Sequence, residues 1–128
     1  MNLKKHQTKI WIVVIVLIVA LFIGWRINQK SQPGTFDAFA QCLKDKGVTF
    51  YGAFWCPHCQ NQKKAFGSSA ALLPYVECSL PSGSGQTQEC TDKGVESYPT
   101  WVFADGTRET GELSMSRLAE KSGCQVPQ

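Results

Sequence analysis

Two cysteines separated by two residues are the part of this sequence best suited to do chemistry. They lie in the run Trp55-Cys56-Pro57-His58-Cys59. The nucleophile in thiol–disulfide exchange is a thiolate, and free backbone amides and the helix dipole stabilise a thiolate at a helix N-terminus. Pro57 suits the first position of a helix, and a strand-like segment precedes the run. The pattern therefore predicts Cys56 as the attacking thiol and Cys59 as the resolving thiol.

The histidine between the cysteines indicates the direction of the chemistry. His58 can place a positive charge or a hydrogen-bond donor near the Cys56 sulfur, which lowers the pKa of that thiol. A stabilised thiolate is a good leaving group, so the disulfide form becomes a stronger oxidant. The motif favours oxidation of substrate thiols. The reacting group is the Cys56–Cys59 disulfide itself, and we expect no cofactor.

A C-x-x-C pair can also bind a metal or form an inert disulfide. Zinc takes four ligands, commonly a second cysteine pair or paired histidines, and the only other histidine, His6, lies beyond the apolar segment. We expect no metal site. A chaperone for copper or another soft metal that uses Cys56, Cys59 and His58 is the alternative from a different class. A non-catalytic module held together by disulfides is a further alternative.

An uncharged apolar run near the N-terminus predicts a membrane anchor. The run IWIVVIVLIVALFIGW lies between Lys9 and Arg26. As a helix it spans ~24 Å, less than the ~30 Å hydrocarbon core, and snorkelling of the two flanking charges makes up the difference. A cleaved signal peptide is the alternative, but the run offers no small-x-small cleavage site. We predict a cytoplasmic tail (1–9), a signal-anchor in membrane lipid (10–25), a linker (26–35) and an extracytoplasmic domain (36–128).

The length and the charge of the chain indicate how many domains it has and which partners it could bind. The chain has 128 residues and a formal net charge of +3, which suits one domain. The first thirty residues hold five basic residues and no acidic one. The remainder is slightly acidic, so we predict no nucleic-acid partner.

Six cysteines after an export segment indicate an oxidising compartment. Cys78 and Cys90 bracket the loop SLPSGSG, and a bridge between them is the favoured pairing, with a second redox couple as the alternative. Cys42 and Cys124 could tie the two ends of the domain together, although two free buried thiols would also fit.

Apolar periodicity and turn residues predict an α/β domain with the order α-β-α-β-α-β-β-α. A helix that crosses between two strands implies a parallel pair, and a final hairpin adds an antiparallel edge. We expect helices on both faces of a central mixed sheet. The predicted elements are helix 36–47, strand 48–54, helix 57–67, strand 75–78, helix 86–93, hairpin strands 100–104 and 107–111, and helix 114–122.

A C-x-x-C motif after a strand, with Tyr98-Pro99-Thr100 about forty residues later, resembles the thioredoxin fold. The strings FAQCLKDKGVTFYGAFWCPHCQNQK and YPTWVFADGTRETGELS are similar to the thioredoxin-like domain that is fused to, or accompanies, bacterial homologues of vitamin K epoxide reductase. The resemblance implies an extracytoplasmic thiol–disulfide oxidoreductase that acts on cysteine-containing proteins, with a reductase or isomerase as the nearest alternative. A single apolar run replaces the multi-helix reductase domain, so the redox partner would be a separate membrane protein such as a vitamin K epoxide reductase homologue.

The resemblance also assigns roles to individual residues. Tyr98-Pro99 would form a cis-proline turn that faces the motif and pairs with an extended substrate; an ordinary trans-proline that enters a strand is the alternative. Separately from the resemblance, we expect Trp55 to contact substrate. Many members carry a buried acid six residues before the first cysteine, and here that position is Phe50. We therefore expect slow turnover through Cys59.

Overall fold

The computed structural model describes the backbone of residues 3–29 and 34–128, and the side chains of 7–26 and 34–128. Contacts divide the chain into an N-terminal unit, residues 1–32, and a C-terminal unit, residues 33–128. The middle of the predicted linker, residues 30–33, lies outside the described residues.

The described residues of the N-terminal unit form one helix, α1 (Leu3–Gln29), which extends beyond the predicted segment 10–25 at both ends. The flanking residues contain neither glycine nor proline, so the helix continues past the apolar run. Its stretch Gln7–Arg26 is long and apolar enough to cross a membrane by length and composition. The large apolar side chains from Ile10 to Trp25 are exposed.

The C-terminal unit is a mixed α/β domain. Its four-stranded sheet contains β1 (Thr49–Gly52), β2 (Tyr75–Glu77), β3 (Thr100–Val102) and β4 (Arg108–Thr110) in the order β2-β1-β3-β4. Strand β1 pairs in parallel with β2 and antiparallel with β3, and β3 pairs antiparallel with β4. The predicted order of elements and the mixed sheet are confirmed. The helices are α2 (Asp37–Asp45) before β1, α3 (Pro57–Phe66) and a 3-10 helix (Gly67–Leu72) between β1 and β2, α4 (Gln88–Asp92) between β2 and β3, and α5 (Met115–Ser122) after β4.

The predicted strand 48–54 was too long at both ends. The Val48 amide donates to the Leu43 carbonyl, which closes the end of α2. At the other end the Cys56 amide donates to the Ala53 carbonyl, so the chain turns after Gly52. The 3-10 helix after α3 was not predicted.

Each face of the sheet packs against helices. Phe50 and Tyr51 are consecutive in β1 and therefore point to opposite faces. Phe50 stacks on Trp101 at 4.4 Å between ring centroids, in a buried cluster that includes residues of α2, α3 and α5. Tyr51 lies in a second cluster with Cys78 and Cys90, the latter from α4. The prediction of helices on both faces is therefore confirmed.

Disulfides join Cys42 to Cys124 and Cys78 to Cys90, with Cα atoms 6.0 and 5.6 Å apart. The second is the pairing favoured above, and the first is the bridge considered there beside two free thiols. The first bridge connects α2 to the segment after α5. The second connects the residue that follows β2 to α4. Cys56 and Cys59 are free thiols.

Candidate active site

The end of β1 and the start of α3 place Cys56 at a strand-to-helix junction. Cys56 is the N-cap residue of α3 and has extended backbone angles, and Pro57 follows at the start of the helix. The Cys56 carbonyl accepts the Gln60 amide at 3.1 Å, which begins the helical hydrogen-bond ladder. The Cys56 side chain therefore lies at the N-terminus of α3.

The two free thiols differ in environment. Cys56 is 5% exposed and Cys59 1% exposed. Burial raises the pKa of Cys59 to about 12, and a hydrogen bond with Cys56 acts in the same direction, whereas the positive charge of Lys63 opposes it. Cys59 is therefore protonated at neutral pH. The arrangement suits first attack at Cys56 and later resolution by Cys59.

The segment before β3 faces the Cys56 sulfur. The Tyr98–Pro99 peptide bond is cis, and Cys56 Sγ lies 3.6 Å from the Tyr98 carbonyl oxygen. The half-exposed Trp55 ring meets the Tyr98 ring edge-on at 6.0 Å, and Trp55 Nε1 donates to Ser79 Oγ at 2.8 Å. The structure thus brings together the predicted substrate contacts Trp55, Tyr98 and Pro99 beside Cys56. Their role in substrate binding stays a prediction.

The His58 side chain has a partner that sequence reasoning missed. His58 Nδ1 lies 2.7 Å from Glu112 Oε1 in the loop after β4. The hydrogen bond with His58, followed by one from Asn61, lowers the pKa of Glu112. Gln62 anchors this loop: its side chain accepts the Leu113 amide and donates to the Leu113 carbonyl. No pattern in the sequence links residues 58 and 112.

Phe50 lies in the core, as expected for an apolar residue at that position. It is fully buried and contacts the Tyr75 ring edge-on at 5.1 Å. Tyr75, whose ring lies with Cys59 beside Gly52, and its hydrogen-bond partner Glu77 were not predicted as site residues.

Metal ligation is the other use of a C-x-x-C pair. Within residues 3–29 and 34–128 no group of three or more His, Cys, Asp or Glu side chains is arranged to hold a metal ion. The soft-metal alternative used His58 as a ligand, and the structure pairs that imidazole with Glu112.

Comparison with known proteins identifies a relative of this chain. No family model matches the chain. The protein named thiol-disulfide oxidoreductase LTO1 of Arabidopsis thaliana is 39% identical over 106 residues, which cover 80% of this chain. The match spans 28% of the length of that relative. It supports the prediction that this chain is an oxidoreductase.

Proposed function

We propose that this chain is a thiol–disulfide oxidoreductase of the thioredoxin fold that reacts through Cys56 and Cys59. The observation that carries the proposal is the pair of buried free thiols at the N-terminus of α3, with Cys56 Sγ 3.6 Å from the backbone of a cis-proline turn. The name of the Arabidopsis relative states the same activity.

Dithiol oxidation is the proposed direction, because the Pro57-His58 pair favours a stable Cys56 thiolate. A substrate thiolate attacks Cys56 of the Cys56–Cys59 disulfide, and Cys59 leaves as a thiolate and takes up a proton. A second substrate thiolate then attacks the substrate sulfur of the mixed disulfide, and Cys56 leaves as a thiolate. The substrate gains a disulfide, and the enzyme holds the two electrons as a dithiol.

The proposed location is the extracytoplasmic face of a membrane, with α1 as the anchor. The apolar stretch Gln7–Arg26 and two disulfides in a small domain support this location, because such disulfides persist in oxidising compartments. Cysteine-containing proteins are the proposed substrates. A separate membrane protein, such as a homologue of vitamin K epoxide reductase, would reoxidise the Cys56–Cys59 pair.

A trapping experiment tests the activity. The full chain in detergent, reduced at Cys56 and Cys59, is incubated with an excess of a peptide activated as its mixed disulfide with thionitrobenzoate and analysed by intact mass. We expect Cys59→Ser to accumulate a one-to-one peptide adduct on Cys56, whereas wild type resolves the adduct and becomes oxidised. The matched variant Cys56→Ser should form no adduct. Absence of an adduct from Cys59→Ser would refute the proposal and favour an inert disulfide module.

The reduction potential of the pair tests the direction. Equilibration of the full chain with glutathione, followed by alkylation and mass analysis of each cysteine, gives this potential. A value near those of strong dithiol oxidases, about −120 mV, would support oxidation, whereas a value near that of thioredoxin, about −270 mV, would support a reductase.

A further inference from the structure

Because Gly52 has no side chain, the Cys59 thiol and the Tyr75 ring can lie close to the same point of β1. A Cβ atom added at Gly52, the last residue of β1, would lie 2.8 Å from Cys59 Sγ and 2.8 Å from Tyr75 Cε2. In the parallel pairing Phe50 lies opposite Tyr75, and Gly52 lies opposite Glu77. The thiol, the ring and the Glu77 position therefore surround one glycine at the end of the strand.

The Tyr75 hydroxyl is joined to a carboxylate that is held in place. It donates to Glu77 Oε2 at 2.8 Å. The other oxygen, Glu77 Oε1, accepts the backbone amides of Phe54 at 3.2 Å and Ser79 at 2.9 Å. These two hydrogen bonds from backbone amides orient the carboxylate so that its other oxygen, Oε2, stays directed at the Tyr75 hydroxyl.

A positive charge lies over the same ring. Lys63 Nζ is 3.3 Å from the Tyr75 ring centroid, and its charge favours the Cys59 thiolate. Burial and the hydrogen bond to Glu77 raise the pKa of Tyr75. The hydroxyl therefore stays protonated and can pass a proton to Glu77 only when it receives another.

The Cys59 thiol needs a proton acceptor. It is almost fully buried, and only its thiolate can attack a mixed disulfide at Cys56. Cys56 and Lys63 act on its pKa, and its own charge acts on the pKa of Tyr75 and of Tyr98. Both tyrosines are also affected by Glu77, the carboxylate that is hydrogen-bonded to the Tyr75 hydroxyl.

We propose that Tyr75 relays the proton of Cys59 to Glu77 when Cys59 resolves a mixed disulfide on Cys56. The thiol proton passes to the Tyr75 oxygen as the Tyr75 proton passes to Glu77 Oε2. The Cys59 sulfur bonds to the Cys56 sulfur, the bond from Cys56 to the partner sulfur breaks, and the partner leaves as a thiolate with the electron pair. The inference rests on the proposed function, since reoxidation of the dithiol requires this resolving step.

Stopped-flow kinetics with dithiobis(nitrobenzoate) separate the two steps. The full chain in detergent, reduced at Cys56 and Cys59 with both other disulfides intact, releases one coloured thiolate when Cys56 attacks. It releases a second when Cys59 resolves the adduct, at a rate independent of the reagent concentration. The rate of the second phase is measured from acid to alkaline pH.

We expect Tyr75→Phe to slow the second phase about tenfold or more at neutral pH, since general bases contribute about a hundredfold or more. The midpoint of the pH profile should move to higher pH, and the first phase should be unchanged. Tyr51→Phe is the matched control. It removes the hydroxyl of a buried tyrosine in the neighbouring strand, on the opposite face of the sheet, and both phases should stay at the wild-type rate.

If Tyr75→Phe does not fold, Glu77→Gln tests the proton relay instead. It keeps an oxygen for the Phe54 and Ser79 amides and removes the negative charge, so we expect the same shift of the second phase. A second phase that is unchanged, or slowed equally at every pH, would overturn the relay. A wild-type chain without a first phase would overturn the proposed function, and one without a second phase would overturn resolution by Cys59.

Discussion

The two disulfides close loops of very different length, and this difference predicts how much each one stabilises the domain. The bridged residues are 82 apart for Cys42–Cys124 and 12 apart for Cys78–Cys90. The chain-entropy relation gives about 4.5 kcal/mol for the longer loop and about 2.8 kcal/mol for the shorter one. Removal of Cys42–Cys124 should therefore lower the free energy of unfolding by about 1.7 kcal/mol more.

Packing predicts the opposite order. Cys78 and Cys90 are fully buried, Cys124 is 5% exposed and Cys42 is only partly buried. Either double substitution by alanine removes two sulfur atoms, and removing buried atoms lowers the free energy of unfolding more than removing exposed ones. If packing dominated, the loss of Cys78–Cys90 would be the more damaging change.

Denaturant unfolding of the full chain in detergent tests this order. Each pair is replaced by alanine in a background in which Cys56 and Cys59 are also alanine, so that no free thiol can exchange with a disulfide. Unfolding is followed by tryptophan fluorescence, to which the buried Trp101 contributes. Equal losses for the two pairs, or a larger loss for Cys78–Cys90, would refute the loop-entropy reasoning.

Two further predictions concern the supports of the active site. Gln62→Leu should lower the free energy of unfolding by about 1 to 3 kcal/mol, because the Leu113 amide and carbonyl lose their hydrogen bonds to the Gln62 side chain. Denaturant unfolding measures this loss, and a loss below about 0.5 kcal/mol would contradict the prediction. Folding raises the pKa of Cys59 from its ordinary value of 9.0 to about 12. As the pH rises, Cys59 therefore ionises in the unfolded chain before it ionises in the folded domain, and the free energy of unfolding falls between about pH 9 and 12. In Cys59→Ala this fall should be smaller over the same range, and parallel pH profiles would show the assignment to be wrong.

Local signals in the sequence account for the placement of the reactive cysteine. The strand-like residues before it, Pro57 at the first helical position and the C-x-x-C spacing act within a few residues of one another. Because these preferences depend on neighbouring backbone angles, the strand-to-helix junction could be predicted without knowledge of the rest of the fold.

Strand ends and the 3-10 helix depend on contacts from farther away. Ser69, in the 3-10 helix, is fully buried, and its hydroxyl accepts the Phe36 amide at 3.0 Å from before α2. The segment Gly67–Leu72 has no apolar periodicity that would indicate a helix. Its conformation follows from packing against α2, which sequence patterns do not reveal.

The sequence by itself determined the reacting residue types, their spacing and the mixed α/β order. Only the tertiary structure decided which groups surround them: Glu112 reaches His58 across 54 residues, and the pairing of β1 with β2 places the Tyr75 ring beside Gly52, where the Cys59 sulfur also lies. Reactivity at a thiol depends on burial and on charges a few ångströms away, and both are properties of the folded arrangement. Chain neighbours alone do not specify them, because distant segments supply the groups.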